Sequence, residues 1–391
     1  MSASAGAMSE VRLELFRRVL DHCRAGTTDL APGVMQIDPA TYFDTDYFAR
    51  EHQRLFRETP LLVCLSPDLP HPGDYLLFED TGIPILVVRG EDGMVRAFLN
   101  VCAHRGGRVA REARGQAKRF TCRYHGWTYD SAGKVAGIPS REFFCGETQG
   151  NDRLVECPAE ERHGMVFVLP SPGGVMNLDA HLGAFGEVLE LFEFGASEFV
   201  IEEKFQSTSN WKMAMDTYLE SYHLPTLHAT SFAHVFESNL FLLDQFGPHY
   251  RFTFPHKGLA KWIGKPEAEW PIDALPITLF LYPNTIIAVG SVSANGSGFS
   301  THRLFPRGVG AMHANVRMYG LGGIKSDEHR AQMLANFDKV REAARDEDYA
   351  VTGESWGGLS QLPADARFLL GRHEIGVQQF HRNIAAALGE A

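Results

Sequence analysis

Four residues that commonly bind metals lie in one short stretch, residues 101–127, VCAHRGGRVAREARGQAKRFTCRYHGW. Cys102 and His104 form a first pair, and Cys122 and His125 form a second. One thiolate and one imidazole from each of two loops suit a two-iron cluster in which two Cys hold one iron and two His hold the other. Zinc is the alternative, although structural zinc sites more often pair Cys with Cys and His with His. The spacing therefore favours a redox cluster.

Two further histidines lie in the stretch NWKMAMDTYLESYHLPTLH, residues 210–228. His223 and His228 are five residues apart, which would point them about 140° apart on a straight helix. Pro225 interrupts such a helix. We therefore expect His223 to end one helix and His228 to approach the same metal from the next turn. Two ordinary structural histidines are the alternative.

Two acids precede these histidines. Glu220 is three residues before His223, so on a helix both lie on one face and the carboxylate can accept the second N–H of the imidazole. Asp216 lies one turn further back. With one distant carboxylate, the two histidines would form the facial triad of a non-haem Fe(II) oxygenase, which leaves positions open for O2 and substrate. Glu220 and Asp216 are the candidate catalytic acids.

The residues around both motifs resemble those of one protein family. HRG follows the first Cys, YHGW contains the last ligand, and N-W-K followed by E-x-Y-H-x4-H comes later in the chain. These motifs, in this order, resemble the Rieske non-haem iron oxygenases, the family of the ring-hydroxylating dioxygenase alpha components and of many demethylases. The resemblance covers most of the chain from about residue 45. It implies a Rieske [2Fe–2S] cluster, a mononuclear Fe(II) and O2 as co-substrate.

The resemblance also implies a third iron ligand, an Asp in a Glu-Asp pair that opens a helix far downstream. The run RDEDY, residues 345–349, fits this pattern, so Asp348 is the expected ligand, 120 residues after His228. Asp346 and Asp365 are the alternatives. The family often has Gln-x-Gly shortly afterwards, whereas this chain has SWGG at residues 355–358.

Electron transfer and assembly follow from the resemblance as well. Family members form homotrimers, in some cases with a small β subunit, and His125 of one subunit would hydrogen-bond Glu220 of the next. The sequence has no GxGxxG fingerprint with a matching acid and no second Cys set. We therefore expect the electrons to come from a separate NAD(P)H-dependent reductase, directly or through a ferredoxin.

Apolar periodicity divides the chain into three segments. Residues 10–23 and about 46–57 have helical patterns, so residues 1–57 should form helices that pack on the catalytic domain. Short β runs from about residue 60 predict a small antiparallel domain at 58–168, and a Pro/Gly-rich linker follows. Residues 175–391 mix strands with helices, including 326–345 and about 373–388. The predicted class is α+β, and the resemblance implies a helix-grip (START-like) catalytic domain.

Composition excludes several classes of function. The 391 residues carry a net charge of 37 − 48 = −11, which argues against a nucleic-acid partner. No apolar run approaches the length of a membrane span, and the start, MSASAGAMSE, lacks the features of a signal peptide. The six Cys suggest no disulfide framework, so we expect a cytoplasmic protein.

Charge is reversed locally between the two Cys/His pairs. Residues 105–123 hold seven Lys or Arg and one acid, Glu112. A solvated cationic loop is one explanation of this basic run. A docking patch for an acidic electron donor is the other, because complementary charge speeds encounter.

Three functions remain open at this stage. The leading hypothesis is the terminal oxygenase of a multicomponent system that hydroxylates an aromatic substrate, in a cavity that Leu227, Phe232, Phe236 and Phe241 could line if they are not core. The second is a monooxygenase that demethylates ethers or amines or hydroxylates a quaternary ammonium compound, with an aromatic cage drawn from Trp262, Trp270 and Tyr282. The third is a non-catalytic electron carrier or zinc-binding protein.

Overall fold

The computed structural model describes residues 3–144, 146, 150–237, 239–290 and 296–390, so Cys145 is not among them. The chain divides into two compact units: a smaller one, residues 53–181, and a larger one, residues 1–52 with 182–391. Within the described residues, no helix combines the length and apolar composition needed to cross a membrane.

The N-terminal segment is helical, as its periodicity predicts. Its elements are α1 (Ala3–Ala25), β1 (Met35–Ile37), α2 (Ala40–Phe43) and α3 (Thr45–Phe56). Helix α1 begins earlier than the predicted residue 10, and it buries the apolar stripe of Leu15, Phe16, Val19 and Leu20.

The smaller unit consists of short antiparallel strands. They are β2 (Leu61–Leu65), β3 (Asp74–Phe78), β4 (Ile85–Arg89), β5 (Val95–Leu99), β6 (Arg114–Gln116), β7 (Arg119–Thr121), β8 (Thr128–Asp130), β9 (Val135–Gly137), β10 (Glu156–Cys157), β11 (Ala159–Arg162) and β12 (Met165–Val168). They form a five-stranded sheet, β10-β5-β4-β3-β6, and two three-stranded sheets, β11-β12-β2 and β7-β8-β9. Cys102 and Cys122 belong to the buried core of this unit, together with Trp127 and Tyr129.

The larger unit is organised around one antiparallel sheet. The elements that follow β12 are α4 (Leu178–Leu182), α5 (Phe185–Glu190), β13 (Glu198–Ser207), α6 (Trp211–Asp216), α7 (Leu224–Leu227), β14 (Leu242–Phe246), β15 (His249–Thr253), β16 (Ile277–Leu281), β17 (Thr285–Val289), β18 (Ser297–Gly308), β19 (Ala311–Leu321), α8 (Asp327–Glu342), α9 (Tyr349–Leu359), β20 (Phe368–Leu370) and α10 (Ile375–Ala387). Seven strands pair in the order β13-β19-β18-β17-β16-β15-β14, and β1 pairs with β20. Strands and helices together confirm the predicted α+β class.

One long helical run crosses the larger unit. It starts at α8, where the Ser326 side chain accepts the His329 N–H and Asp327 and Glu328 favour the helix N-terminus. The run does not stop at residue 345 as expected. A π-helical turn, Ala343–Asp348, joins α8 directly to α9.

Candidate metal centres

The two Cys/His loops of the smaller unit, residues 102–107 and 122–127, are here called the cluster loops. In each, the Cys N–H donates to the carbonyl five residues on, and the Cys carbonyl accepts from the Gly N–H four residues on. The four bonds are Cys102 N to Gly107 O (2.8 Å), Gly106 N to Cys102 O (2.9 Å), Cys122 N to Trp127 O (2.9 Å) and Gly126 N to Cys122 O (2.9 Å). Gly106 and Gly126 both have φ near +75° (76° and 74°), a conformation that favours glycine. Each loop therefore closes through its own backbone hydrogen bonds.

Two buried polar side chains hold the first loop. The Asn100 carbonyl oxygen accepts the N–H groups of Val109 and Ala110, and its amide donates to the Ala110 carbonyl. The Tyr129 hydroxyl lies 3.1 Å from Cys102 Sγ and accepts the Ala103 N–H. These two residues were not identified from the sequence, because an isolated Asn or Tyr has no distinctive spacing.

The four side chains fit a mixed-ligand cluster. The Cys102 and Cys122 thiols are buried and are not in a disulfide. The His104 and His125 rings lie toward the surface, with their centroids 4.6 Å apart. Burial, together with His125 and Arg105, lowers the pKa of His104, which favours the neutral imidazole that a metal ligand must be. Inward thiolates and outward imidazoles are the donor set of the expected [2Fe–2S] cluster.

Glycine also sets the space between the loops. A Cβ at Gly107 would lie 2.7 Å from Cys122 Sγ, closer than real Cβ atoms come. On the outer side, the His104 ring stacks on Trp127 at 5.1 Å and the His125 ring stacks on Tyr124 at 3.8 Å. Each imidazole is thus held by an aromatic face.

In the larger unit, the N-W-K motif anchors α6. The Asn210 side chain caps the helix by accepting the Lys212 N–H, and its amide donates to the carbonyls of Tyr42 and Val309. Lys212 Nζ forms an ion pair with Glu51 at 2.6 Å, and both side chains are 1% exposed. The motif fixes the element that precedes the metal-binding turn.

Glu220 holds His223, although not from a helical face. Helix α6 ends at Asp216, so Glu220 lies in a turn, and His223 begins the one-turn helix α7 instead of ending a helix. The Glu220 carboxylate accepts the N–H groups of Tyr222 and His223 and the His223 ring Nδ1–H. Because Nδ1 carries the proton, the lone pair of Nε2 is free for a metal.

Glu347 does the same for His228, which closes α7 at its other end. His228 Nδ1 contacts Glu347 Oε2, and Ser231 Oγ donates to the same oxygen at 2.6 Å. Sequence reasoning treated Glu347 only as part of the Glu-Asp pair and missed this role. The signal that could have found it is an acid placed next to the expected ligand, since a ligating His usually donates its second N–H.

Both Nε2 atoms face Asp348. The distances from Asp348 Oδ1 are 3.2 Å to His228 Nε2 and 3.7 Å to His223 Nε2, and one ligand atom from each of the three residues lies within 4.8 Å of the others. Asp348 Oδ1 is buried and has no hydrogen-bond partner among the described residues. Two imidazole nitrogens and one carboxylate with an unused oxygen suit a divalent iron with open positions.

Two neighbouring acids of the π-helical turn reach the two nitrogens of one imidazole. Glu347 contacts His228 Nδ1 while Asp348 contacts His228 Nε2, although consecutive side chains on an α-helix diverge by about 100°. The Glu-Asp pair therefore lies within a continuous helical run and does not open a helix at its start. Such turns are frequent at functional sites.

The other candidate carboxylates lie elsewhere. Asp216 accepts a hydrogen bond from the Tyr42 hydroxyl at 2.9 Å and contacts His381 Nε2 at 3.0 Å, and it is not among the described residues that line the metal cavity. Asp216 thus links α6 to α2 and α10, and it does not lie at the catalytic position expected for it. Asp346 pairs with Arg345 on the surface, and Asp365 is exposed in a turn.

A cavity of about 400 Å³ opens onto the three metal ligands. Its wall is mostly apolar and includes Phe232 and Phe236, as expected. Leu227 and Phe241 are not among the described lining residues; Phe241 packs against Phe252 and Phe254 instead.

The proposed aromatic cage does not form at this cavity. Trp262, Trp270 and Tyr282 are absent from its described lining. Trp270 stacks on Phe16, and the Tyr282 ring packs against Phe280.

Comparison with known proteins gives the family. Residues 195–390 match the family model described as ring hydroxylating alpha subunit (catalytic domain), and residues 59–158 match the Rieske [2Fe-2S] domain. The benzene 1,2-dioxygenase subunit alpha of Pseudomonas putida is 31% identical over 63% of this chain and 57% of that protein. The chlorobenzene dioxygenase subunit alpha of Cupriavidus sp. (strain PS12) is 31% identical over 62% of this chain and 56% of that protein. The matches thus span little more than half the length of these relatives.

Solved structures agree on the fold. The quaternary ammonium Rieske monooxygenase CntA, in complex with an inhibitor, superimposes with a TM-score of 0.79 at 20% identity, covering 91% of this chain and 96% of that one. Naphthalene 1,2-dioxygenase with indole bound gives a TM-score of 0.72 at 19% identity, covering 90% and 92%. The chain belongs to the ring-hydroxylating alpha subunits that carry a Rieske [2Fe–2S] domain.

Proposed function

We propose that this protein is the terminal oxygenase of a multicomponent system and hydroxylates a small aromatic substrate with O2. The observation that carries the proposal is the triad of His223, His228 and Asp348 at a largely apolar cavity. Relatives named as benzene and chlorobenzene dioxygenase subunits support an aromatic substrate.

Each metal group has a defined set of holders. Cys102, His104, Cys122 and His125 would hold the Rieske cluster, and the triad would hold Fe(II). When bound, the cluster supplies single electrons and the Fe(II) supplies the open coordination positions at which O2 is used.

The chain itself orients and shields. Glu220 and Glu347 fix the two imidazoles with Nε2 inward, so they are positioning residues. Phe232, Phe236 and Phe299 face the cavity and displace water from the substrate. Substrate binding is therefore mainly a matter of shape and apolar contact.

Assembly and partners belong to the same proposal. The protein acts as a homotrimer, with or without a small β subunit, in which exposed His125 of one subunit meets Glu220 of the next. The seven Lys and Arg of residues 105–123 are all exposed, which supports docking of an acidic ferredoxin or reductase beside the cluster loops, although Arg108 pairs with Glu79 and Arg114 with Asp68. Five described Cys are free thiols, which suits a cytoplasmic protein.

Reconstitution tests the proposal. The purified protein should contain iron and acid-labile sulfide, and with a surrogate reductase, NADH and O2 it should convert members of a panel of aromatic, methoxylated and quaternary ammonium compounds. Alone it should not oxidise NADH. Zinc without sulfide would exclude the oxygenase, and turnover confined to quaternary ammonium compounds would establish the second candidate, hydroxylation of that class.

A substitution at Glu220 tests the proposed electron path. Glu220→Gln should keep the visible spectrum of the cluster and nearly abolish turnover, because the amide cannot accept every N–H that the carboxylate accepts. Normal turnover in this variant would refute the role of Glu220.

A further inference from the structure

Four polar side chains form a continuous hydrogen-bonded chain beside the triad. Ser300 Oγ lies 3.0 Å from His302 Nε2, His302 Nδ1 lies 3.0 Å from the Tyr218 hydroxyl, and that hydroxyl lies 2.7 Å from the Tyr349 hydroxyl. Ser300 and His302 are two residues apart on β18, so both point to the same face. Ser300, His302 and Tyr218 line the cavity, and Tyr349 follows the ligand Asp348. We refer to these four side chains as the polar chain.

The protonation states of the polar chain are defined at neutral pH. Burial lowers the pKa of His302 to about 4, so its ring is neutral and carries one N–H at neutral pH. A tyrosine hydroxyl ordinarily has a pKa of about 10, so Tyr218 and Tyr349 keep their hydroxyl hydrogens at neutral pH. Together with Ser300, the polar chain has four donor hydrogens.

Four donors serve only three links, so one donor remains. A neutral imidazole donates at one nitrogen and accepts at the other, so all three links can be made in only two directions. In one direction Ser300 donates to His302 and the Tyr349 hydroxyl keeps an unused hydrogen. In the other direction, Tyr349 donates to Tyr218, Tyr218 donates to His302 and His302 donates to Ser300. The Ser300 hydroxyl then keeps the unused hydrogen.

Burial selects between the two directions. Tyr349 is buried and is not among the described residues that line the cavity, and Tyr218 is the one hydrogen-bond partner of its hydroxyl among the described residues. An unused hydroxyl hydrogen there would stay unsatisfied, which is unfavourable. Ser300 lines the cavity, where a ligand or water can accept its hydrogen. The hydrogen bonds of the polar chain are therefore donated from Tyr349 toward Ser300, and the unused donor hydrogen is on the Ser300 hydroxyl.

We propose that the Ser300 hydroxyl is a substrate-orienting donor and that the preferred substrates are aromatic compounds with a neutral acceptor oxygen, as in an aryl ether or ketone. This inference rests on the proposed function, because it names the substrate class of the same cavity.

The neutral character of the acceptor follows from the charges around it. Lys339, on α8, is the one Lys or Arg among the described lining residues, and it is exposed. The described residues therefore offer a substrate carboxylate no buried Lys or Arg as a partner next to Ser300. A neutral oxygen needs only the donor that the polar chain supplies.

The test compares two ligands of nearly equal shape, methoxybenzene and ethylbenzene, in which an ether oxygen replaces a CH2. Their dissociation constants for the Fe-loaded full-length protein, kept free of O2, are measured by headspace partition. The wild type should bind methoxybenzene about fivefold more tightly, the contribution of one neutral hydrogen bond. Ser300→Ala should abolish this preference and Ser300→Thr should retain it.

Two further variants distinguish the direction of the hydrogen bonds in the polar chain from the general polarity of the cavity wall. Tyr349→Phe frees the spare donor to move to Tyr218, so the preference should fall below that of the wild type. Thr278→Val removes another hydroxyl of the cavity wall, on β16, and should leave the preference unchanged. Equal affinities in the wild type, a preference that survives Ser300→Ala, or an equal effect of Thr278→Val would each overturn the inference.

Failure of the proposed function would look different. If the binding preference is found but reconstitution yields no oxygenated product, the oxygenase proposal fails and the role of Ser300 stands. If products form from alkylbenzenes and aryl ethers without any binding preference, the role of Ser300 fails alone.

Discussion

The cluster loops and the His223–His228–Asp348 site both bring ligands together, but they are assembled over very different distances along the chain. The four cluster ligands lie between residues 102 and 125, and each loop closes through its own backbone hydrogen bonds. The triad joins a short turn at residues 223–228 to a helical turn that ends at residue 348. Its geometry depends on how the helices and the sheet pack.

The support of the ligands differs in the same way. In the cluster loops, neutral groups and aromatic faces hold the ligands, as Tyr129 does for Cys102 and Trp127 does for His104. In the triad site, carboxylates hold both imidazoles. The triad site thus orients its imidazoles with charge-assisted hydrogen bonds, which are stronger than neutral ones.

Removing one ligand from either site should have the largest effect, and each loss should be confined to one site. Cys122→Ser should lose acid-labile sulfide and the visible absorption while retaining Fe(II) binding by the larger unit. Asp348→Ala should lose the mononuclear iron and keep the absorption of the cluster. Turnover should be undetectable in both variants. Metal and sulfide analysis checks this, and loss of both groups from either single variant would show that the sites are not independent.

The buried ion pair behind α6 gives the next largest effect. Lys212→Met leaves the Glu51 carboxylate buried without its cationic partner, so the free energy of unfolding should fall by about 3–5 kcal/mol. The double variant Lys212→Met, Glu51→Leu should recover most of that loss, because it removes both charges. Urea denaturation monitored by circular dichroism measures it. Equal losses in the single and double variants would contradict the assignment.

Weakening one carboxylate support should have a smaller effect. Glu347→Gln replaces the charged acceptor at His228 Nδ1, so Fe(II) affinity should drop about 10–100-fold. Glu354→Gln, an exposed change on α9, is the matched control. Competition with a chelator gives the affinities. Identical values for the two variants would mean that His228 does not depend on Glu347.

Crowding the cluster loops should have the smallest effect. Gly107→Ala puts a methyl group against Cys122 Sγ and should destabilise the loaded loops by about 1–3 kcal/mol. Gly137→Ala, on β9, meets nothing closer than 3.9 Å and serves as the control. The thermal loss of visible absorption compares them, and an unchanged midpoint for Gly107→Ala would show that the loops can separate.

The difference in assembly also explains which features could be predicted. Cys102, His104, Cys122 and His125 were identified from spacing, because their loops fold locally and local geometry is written in consecutive residues. The strands around them were predicted by short β runs. Asn100 and Tyr129 were missed, since their roles depend on where strands place them.

For the triad, the sequence indicated the residues better than their geometry. His223, His228 and Asp348 were named, yet Glu220 was expected on a helix that ends at Asp216. Asp216 itself was assigned to the site because its spacing suits a helix, whereas Tyr42 and His381, from distant parts of the chain, hold it elsewhere. Tertiary packing overrides spacing at both positions.

The π-helical turn also limits which insertions and deletions the iron site can tolerate. A π-helical turn holds one residue more than an α-helical turn, because its hydrogen bonds run from residue i to residue i+5. Deleting one residue from 343–346 would remove this wide turn, from which Glu347 and Asp348 both reach the His228 ring, while every ligand stayed in the sequence. The iron site is therefore specified by the number of residues between α8 and α9 as well as by their identity, and an insertion or deletion there can disrupt the site without touching a ligand.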